Sequence, residues 1–139
     1  MDHVATIEAI YGRINAHDLD GFCEYLAEDL VEHETAPGLE PTKEGVRQFF
    51  GMYMAGFPDL RFTVEELLPC GDKIVARFRG SGTQTGEFMG IPPTGRSVDV
   101  EGIDIIRFED DGLAHEHWGL FDALGMMQQL GLIPEGAPA

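Results

Sequence analysis

The chain has 139 residues, 43% of them apolar, enough for one ordinary hydrophobic core but not for two. Twenty-five Asp and Glu stand against nine Lys and Arg, a formal net charge of −16 with histidine neutral. So acidic a surface repels phosphate backbones and anionic lipid heads, which argues against nucleic acid and membranes as partners.

The opening "MDHVATIEAIYG" lacks the basic region and unbroken apolar stretch of a signal peptide. Val4, Ile7, Ile10 and Ile14 fall at helical spacing on one face. Asp18 is placed to cap a second short helix that turns Leu19, Phe22 and Leu26 inward. His33, in "LVEHETAP", stands at the exit of that helical segment. After the loop "ETAPGLEPTKEG", a third helix sets Val46, Phe49, Phe50, Tyr53 and Met54 on one side. It stops at "GFPD", because the residue before Pro58 is pushed out of the helical region.

From Leu60 the period changes to two. Leu60, Phe62 and Val64 alternate with Arg61, Thr63 and Glu65, the pattern of a half-buried strand. After the turn "PCGD", Ile74, Ala76 and Phe78 alternate with Val75, Arg77 and Arg79. A Gly-, Pro- and Thr-rich link, "TGEFMGIPPTGR", leads to a third strand from Ser97 to Phe108. "EDDG" has hairpin-turn chemistry, and a fourth strand runs from Leu113 to Leu120. A short helix from about Asp122 to Leu130 follows, and the tail "PEGAPA" is expected to fray.

These elements predict a single α+β domain over residues 1–139, a cone-shaped, curved antiparallel sheet wrapped around three N-terminal helices, with a short C-terminal helix. No apolar run approaches the ~18 residues of a membrane span. Cys23 and Cys70, without CxxC spacing, fit free thiols in a reducing, cytoplasmic setting. A sheet curled over helices leaves a concave, mostly apolar pocket, the place to look for a small hydrophobic ligand.

The densest titratable cluster is "HEHW", His115 to Trp118. Strand alternation puts His115, His117 and Gly119 on one face, with Glu116, Trp118 and Leu120 on the other. Asp104, between Ile103 and Ile105, must be paired or solvated, since burying a bare carboxylate is costly. If "EDDG" joins neighbouring strands, Asp104 reaches His117 across the ladder, and a carboxylate orienting an imidazole makes a general acid–base pair. The plainer alternative is a surface aspartate and a histidine satisfied by backbone.

Around this pair, His33 and Trp118 are candidate substrate contacts, with Tyr53, Phe57, Phe88 and Met89 as an aromatic and thioether lining. His-x-His on one strand offers two metal ligands, with His33, Asp104 or Glu116 as a third. No residue after His117 is histidine or cysteine, so the second motif of a cupin-type site is missing and no metal is expected. A nucleotide-binding glycine loop and a GxSxG elbow are also absent.

"DLVEH", "FPDL", "GDKIVAR", "TGEFMGIPPTGR", then "DG", "EHW", "FD" and "QLG" come in an order that resembles the SnoaL-like polyketide cyclase family, of the nuclear-transport-factor-2-like fold. The resemblance spans nearly the whole chain. It implies an intramolecular aldol ring closure of aromatic polyketide esters, without metal or organic cofactor, and a homodimer joined through the outer sheet face. It also implies a catalytic aspartate two residues after the histidine, where this chain has Gly119, and a pocket histidine on the preceding strand, where it has Asp104.

Three expectations follow from that departure. The carboxylate has moved to Asp104, acting as base or as the residue tuning it, with His117 as proton shuttle and His33 as a substrate contact. Alternatively the chain runs a related isomerase, dehydratase, hydroxylation-associated or epoxide hydrolase-like reaction. The third expectation is a binding protein that leaves its hydrophobic ligand unchanged.

Overall fold

The computed structural model describes residues 2–34 and 36–134. Helix α1 (His3–Asn15) is capped by Asp2, whose carboxylate accepts the Ala5 N–H, and buries Ile7, Ile10, Tyr11 and Ile14 along one stripe. Asp18 caps α2 (Leu19–Cys23) in the same way through the Gly21 N–H. Thr42 caps α3 (Lys43–Gly56), which ends just before Phe57 and Pro58.

The first third is not all helical. Leu26–Glu32 forms a strand, β1, and Leu26 is buried on it rather than on a second helix. Leu26 and Leu30 are four apart, a spacing that suits a helix face and a strand face alike. Its register is also irregular between Leu26 and Val31, which blurs the alternation that would mark it as a strand.

β2 (Arg61–Cys70), β3 (Lys73–Thr83), β4 (Ser97–Phe108) and β5 (Ala114–Phe121) form the expected antiparallel meander. β1 adds to it in parallel beside β5, giving a curved, open sheet in the order β1-β5-β4-β3-β2. Helix α4 (Ala123–Gln129), capped by Asp122, follows β5. The tail from 135 onward lies outside the described residues.

The concave face carries Ile74, Ala76, Phe78, Val98, Val100 and Ile106, as the period-two pattern predicts. One core joins Ile74, Ala76, Ile106 and Phe108 to α1 and α2, while a second gathers Phe57, Leu60, Phe88, Val98, Met126 and Leu130. The linker before β4 is tied by Gln84, fully buried, whose amide donates to the carbonyls of Gly86, Ile91 and Pro92 and accepts from Thr94 Oγ1 at 2.8 Å.

Pairing shifts at the β4–β5 hairpin. Arg107 faces Glu116, but Phe108 faces Ala114, so His115 is the extra residue of a bulge. The bulge turns Ala114 inward and sends His115 out to Asp111, with Nε2–Oδ2 2.8 Å, and to Glu109, with Nδ1–Oε2 3.2 Å. His115 and His117 therefore do not share a face, and no His-x-His metal pair forms. Both cysteines are free thiols, and no described helix is long and apolar enough to cross a membrane.

Candidate active site

Between the helices and the concave sheet lies a cavity with about 130 Å³ of solvent-accessible space. Its walls are mostly apolar, with Phe49, Phe50, Phe62 and Phe78 prominent, and among the described residues no lysine or arginine lines it. Five of its polar groups, Tyr11, Glu32, Glu34, Asp104 and His117, gather where β1, β4, β5 and α1 meet.

Strand register assembles this cluster. Asp104 pairs with Gly119 and Ile106 with His117, so Asp104 and His117 both point into the cone from adjacent strands. His117 Nε2 lies 2.8 Å from Asp104 Oδ1, the contact expected from sequence. On the other side of the ring, Nδ1 lies 2.6 Å from Glu32 Oε1 on β1. The Tyr11 hydroxyl of α1 donates to Asp104 Oδ2, and the Glu34 backbone N–H donates to Glu32 Oε1 at 2.8 Å.

Electrostatics follow from burial and from these contacts. Desolvation alone would lower the His117 pKa, but hydrogen bonds and charge from Asp104 and Glu32 raise it to about 10. His117 is thus an imidazolium at neutral pH, with both N–H groups donating to carboxylates. The Glu34 carboxyl pKa is raised as well, which for an acid favours the neutral form. Burial, with Asp104 and Glu32 nearby, outweighs the imidazolium and lifts its pKa to about 7. Burial and Asp104 hold the Tyr11 phenol far above its ordinary value, so it remains a donor.

Glu34, Asp104 and His117 are the one trio among the described residues whose ligand atoms lie close enough for a metal, within 4.8 Å of one another. A cation bound there would have to displace the proton that Asp104 and Glu32 hold on His117.

Tyr53 and Phe57 line the cavity as expected. Phe88 does not reach it. It is fully buried behind them, with ring centroids 4.6 Å from Tyr53 and 5.3 Å from Phe57. Met89 is half exposed at a positive φ of 49° in the linker, away from the cavity. His33 also departs from expectation, and Trp118 takes the face opposite His117 that strand alternation gives it rather than a place in the cavity. Both point to the outer face, where their rings stack at 4.8 Å and His33 Nε2 meets Glu116 Oε2 at 2.6 Å. The reason is alternation at the end of β1, where Glu32 turns inward and the next residue, His33, therefore outward.

Glu32, Glu34 and Tyr11 are the site residues that sequence reasoning missed. Read as a strand, "LVEHE" places Leu30, Glu32 and Glu34 on one face, and that period was the available signal. The most informative feature is Gly119. A Cβ built there would sit 2.2 Å from Glu34 Oε2 and 2.8 Å from Asp104 Oδ1. The space where the resemblance expects a carboxylate from β5 is therefore filled by one arriving from the end of β1.

The SnoaL-like polyketide cyclase family model matches residues 3–130. Among solved structures, TsrD from Streptomyces laurentii is 34% identical with a TM-score of 0.84, covering 96% of this chain and 99% of that one. IdmH from Streptomyces antibioticus, a candidate polyketide cyclase, is 34% identical with a TM-score of 0.81, covering 94% of this chain and 99% of that one. AclR from Streptomyces galilaeus, a candidate hydroxylase, is 26% identical with a TM-score of 0.86, covering 97% and 84%. No curated protein matches the chain. With the family matched over nearly its whole length and the curved α+β fold shared with these structures, the chain belongs to the SnoaL-like polyketide cyclases.

Proposed function

We propose that this protein is a cofactor-independent acid–base enzyme that closes a ring by intramolecular aldol addition, or isomerises, a hydrophobic polycyclic ketone or ester. The observation that carries this reading is one imidazole gripped by two carboxylates on the wall of an otherwise apolar cavity. Family membership and the likeness to a candidate polyketide cyclase support the same class of substrate.

The chemistry asks the protein for a base, an orientation and a dry pocket. A carboxylate takes the proton from a carbon beside the substrate carbonyl, and the electron pair spreads onto the carbonyl oxygen. His117 acts first through its charge, because both of its N–H groups are already engaged. Asp104 is engaged by Tyr11 and His117 together, which suits it to tuning the imidazolium more than to accepting the proton. The enolate carbon then attacks a second carbonyl within the substrate, a C–C bond forms, and the alkoxide recovers the proton from the carboxyl group.

Aromatic walls suit flat rings. Glu32, Glu34, Glu40 and Asp104 face the cavity with only His117 to balance them, so an uncharged ligand is favoured over an anionic one.

The test is hydrogen–deuterium exchange at the acidic carbon of polycyclic β-keto esters in D₂O. The wild type is expected to exchange at least one of them, and His117→Gln to slow that exchange by about 100-fold. Tight binding with no exchange would favour a protein that only holds its ligand.

A further inference from the structure

We infer that Glu34 is the catalytic base, the group that removes the carbon-bound proton, and that Gly119 is required because it vacates the space Glu34 works in. This deepens the acid–base reading above and rests on it.

Hydrogen bonding separates Glu34 from the other carboxylates of the cluster: Asp104 and Glu32 are both tied to His117, whereas the Glu34 side chain accepts from no donor among the described residues. Asp104 uses both oxygens, one for Tyr11 and one for His117. Glu32 spends Oε1 on His117 and on the Glu34 backbone. Among the described residues nothing donates to the Glu34 side chain, which lines the cavity with its oxygens open to whatever enters. A base needs a lone pair aimed at substrate, and Glu34 has one to spare.

Its place is fixed by what surrounds it. Glu32 holds the Glu34 backbone and His117 through a single oxygen, so base and imidazolium are set in register by one side chain. Oε2 lies 2.2 Å from where a Cβ on residue 119 would stand. Any side chain at 119 would displace the carboxylate. The groups facing Glu34 are His117 from β5, Asp104 from β4, Glu32 from β1, Tyr11 from α1 and Tyr53 from α3. Burial among them lifts its pKa to about 7, the poise at which a carboxyl group both takes and returns a proton near neutral pH.

The step balances without a co-reactant. The substrate C–H bond breaks, its electron pair remains in the enolate, and the proton becomes the Glu34 O–H. Glu34 later gives that proton to the alkoxide or to the isomeric carbon.

The experiment compares carbon-acid exchange in wild type, His117→Gln, Glu34→Gln, Glu34→Ala and the double variant Glu34→Ala/Gly119→Asp. Folding is checked by circular dichroism and ligand affinity by calorimetry. Glu34→Gln is expected to slow exchange by about 100-fold or more while affinity stays within about threefold. The double variant, which returns a carboxylate to the vacated space from β5, is expected to exceed Glu34→Ala by about tenfold or more. That rescue cannot come from a merely structural role. If Glu34→Gln keeps the wild-type rate while His117→Gln loses it, Glu34 is not the base and the acid–base reading stands without it. If the wild type exchanges nothing, both fall.

Discussion

His117 and Glu32 face each other across the β1–β5 ladder as direct partners, and Nδ1 lies 2.6 Å from Glu32 Oε1. Among the described residues this is the one parallel pairing in the sheet. It ties the edge strand to the cavity cluster, because the same oxygen accepts the Glu34 N–H. Glu32→Gln removes a negative charge from one side of the imidazolium, so the His117 pKa is expected to fall from about 10 toward its ordinary value. Ring ¹⁵N shifts followed against pH report this directly. A midpoint unchanged by the substitution would mean that Asp104 alone holds the charge.

The same cluster sets a pH dependence of stability. The pKa of Glu34 in the folded chain, about 7, lies above its ordinary 4.5, so its contribution is intact below pH 4.5 and is lost as pH rises through 7. Ionised Glu34 therefore works against folding at pH 8. Glu34→Gln removes that penalty and is expected to stabilise by about 1–2 kcal/mol at pH 8 and by little at pH 4.5. Thermal melts at the two pH values decide this. Equal effects at both would place Glu34 in contact with bulk water.

Gly119→Ala separates site geometry from fold stability. The new Cβ would stand 2.2 Å from Glu34 Oε2, the far end of a flexible side chain that can swing away, and 2.8 Å and 2.9 Å from Asp104 Oδ1 and His117 Cε1, which need to give by only a few tenths of an ångström. The expected result is a melting temperature changed by only a few degrees, with carbon-acid exchange slowed by about tenfold or more. A large loss of stability with the rate intact would show that the backbone, not Glu34, absorbs the methyl group.

Outside the cone, Leu68 faces Val75, Val75 faces Ile105 and Ile105 faces Trp118, an apolar row across β2, β3, β4 and β5. Ile103 and Leu120 make a second pair beside it, with Leu120 82% exposed. So much apolar surface on one sheet face is expected to be covered by a second copy of the chain. Sedimentation of the wild type should give a dimer, and Ile105→Glu/Leu120→Glu a monomer. A wild-type monomer at micromolar concentration would contradict this.

Most of the fold was legible because its elements carry clean periods. The stripe Ile7, Ile10, Ile14 and the alternation Ile74, Ala76, Phe78 appear in the structure as the pattern implies. The Asp104–His117 contact was legible too, since a tight "EDDG" turn fixes which strands are neighbours. β1 was not, because a short strand with an irregular register carries the same spacings as a helix turn. Losing β1 cost the site Glu32 and Glu34 and put His33 on the wrong side of the sheet. The bulge at His115 was equally hidden, as one extra residue in a hairpin reverses the face of what precedes it without changing composition.

In the proposed mechanism a carboxylate of pKa about 7 and an imidazolium of pKa about 10 act together on a carbon acid. The rate of wild-type carbon-acid exchange, measured from pH 5 to 11 at saturating β-keto ester, tests it most directly. The rate is expected to rise as Glu34 ionises through about 7 and to fall as His117 loses its charge through about 10. A rate that falls as pH rises through 7, or that tracks hydroxide concentration with no plateau, would contradict the account.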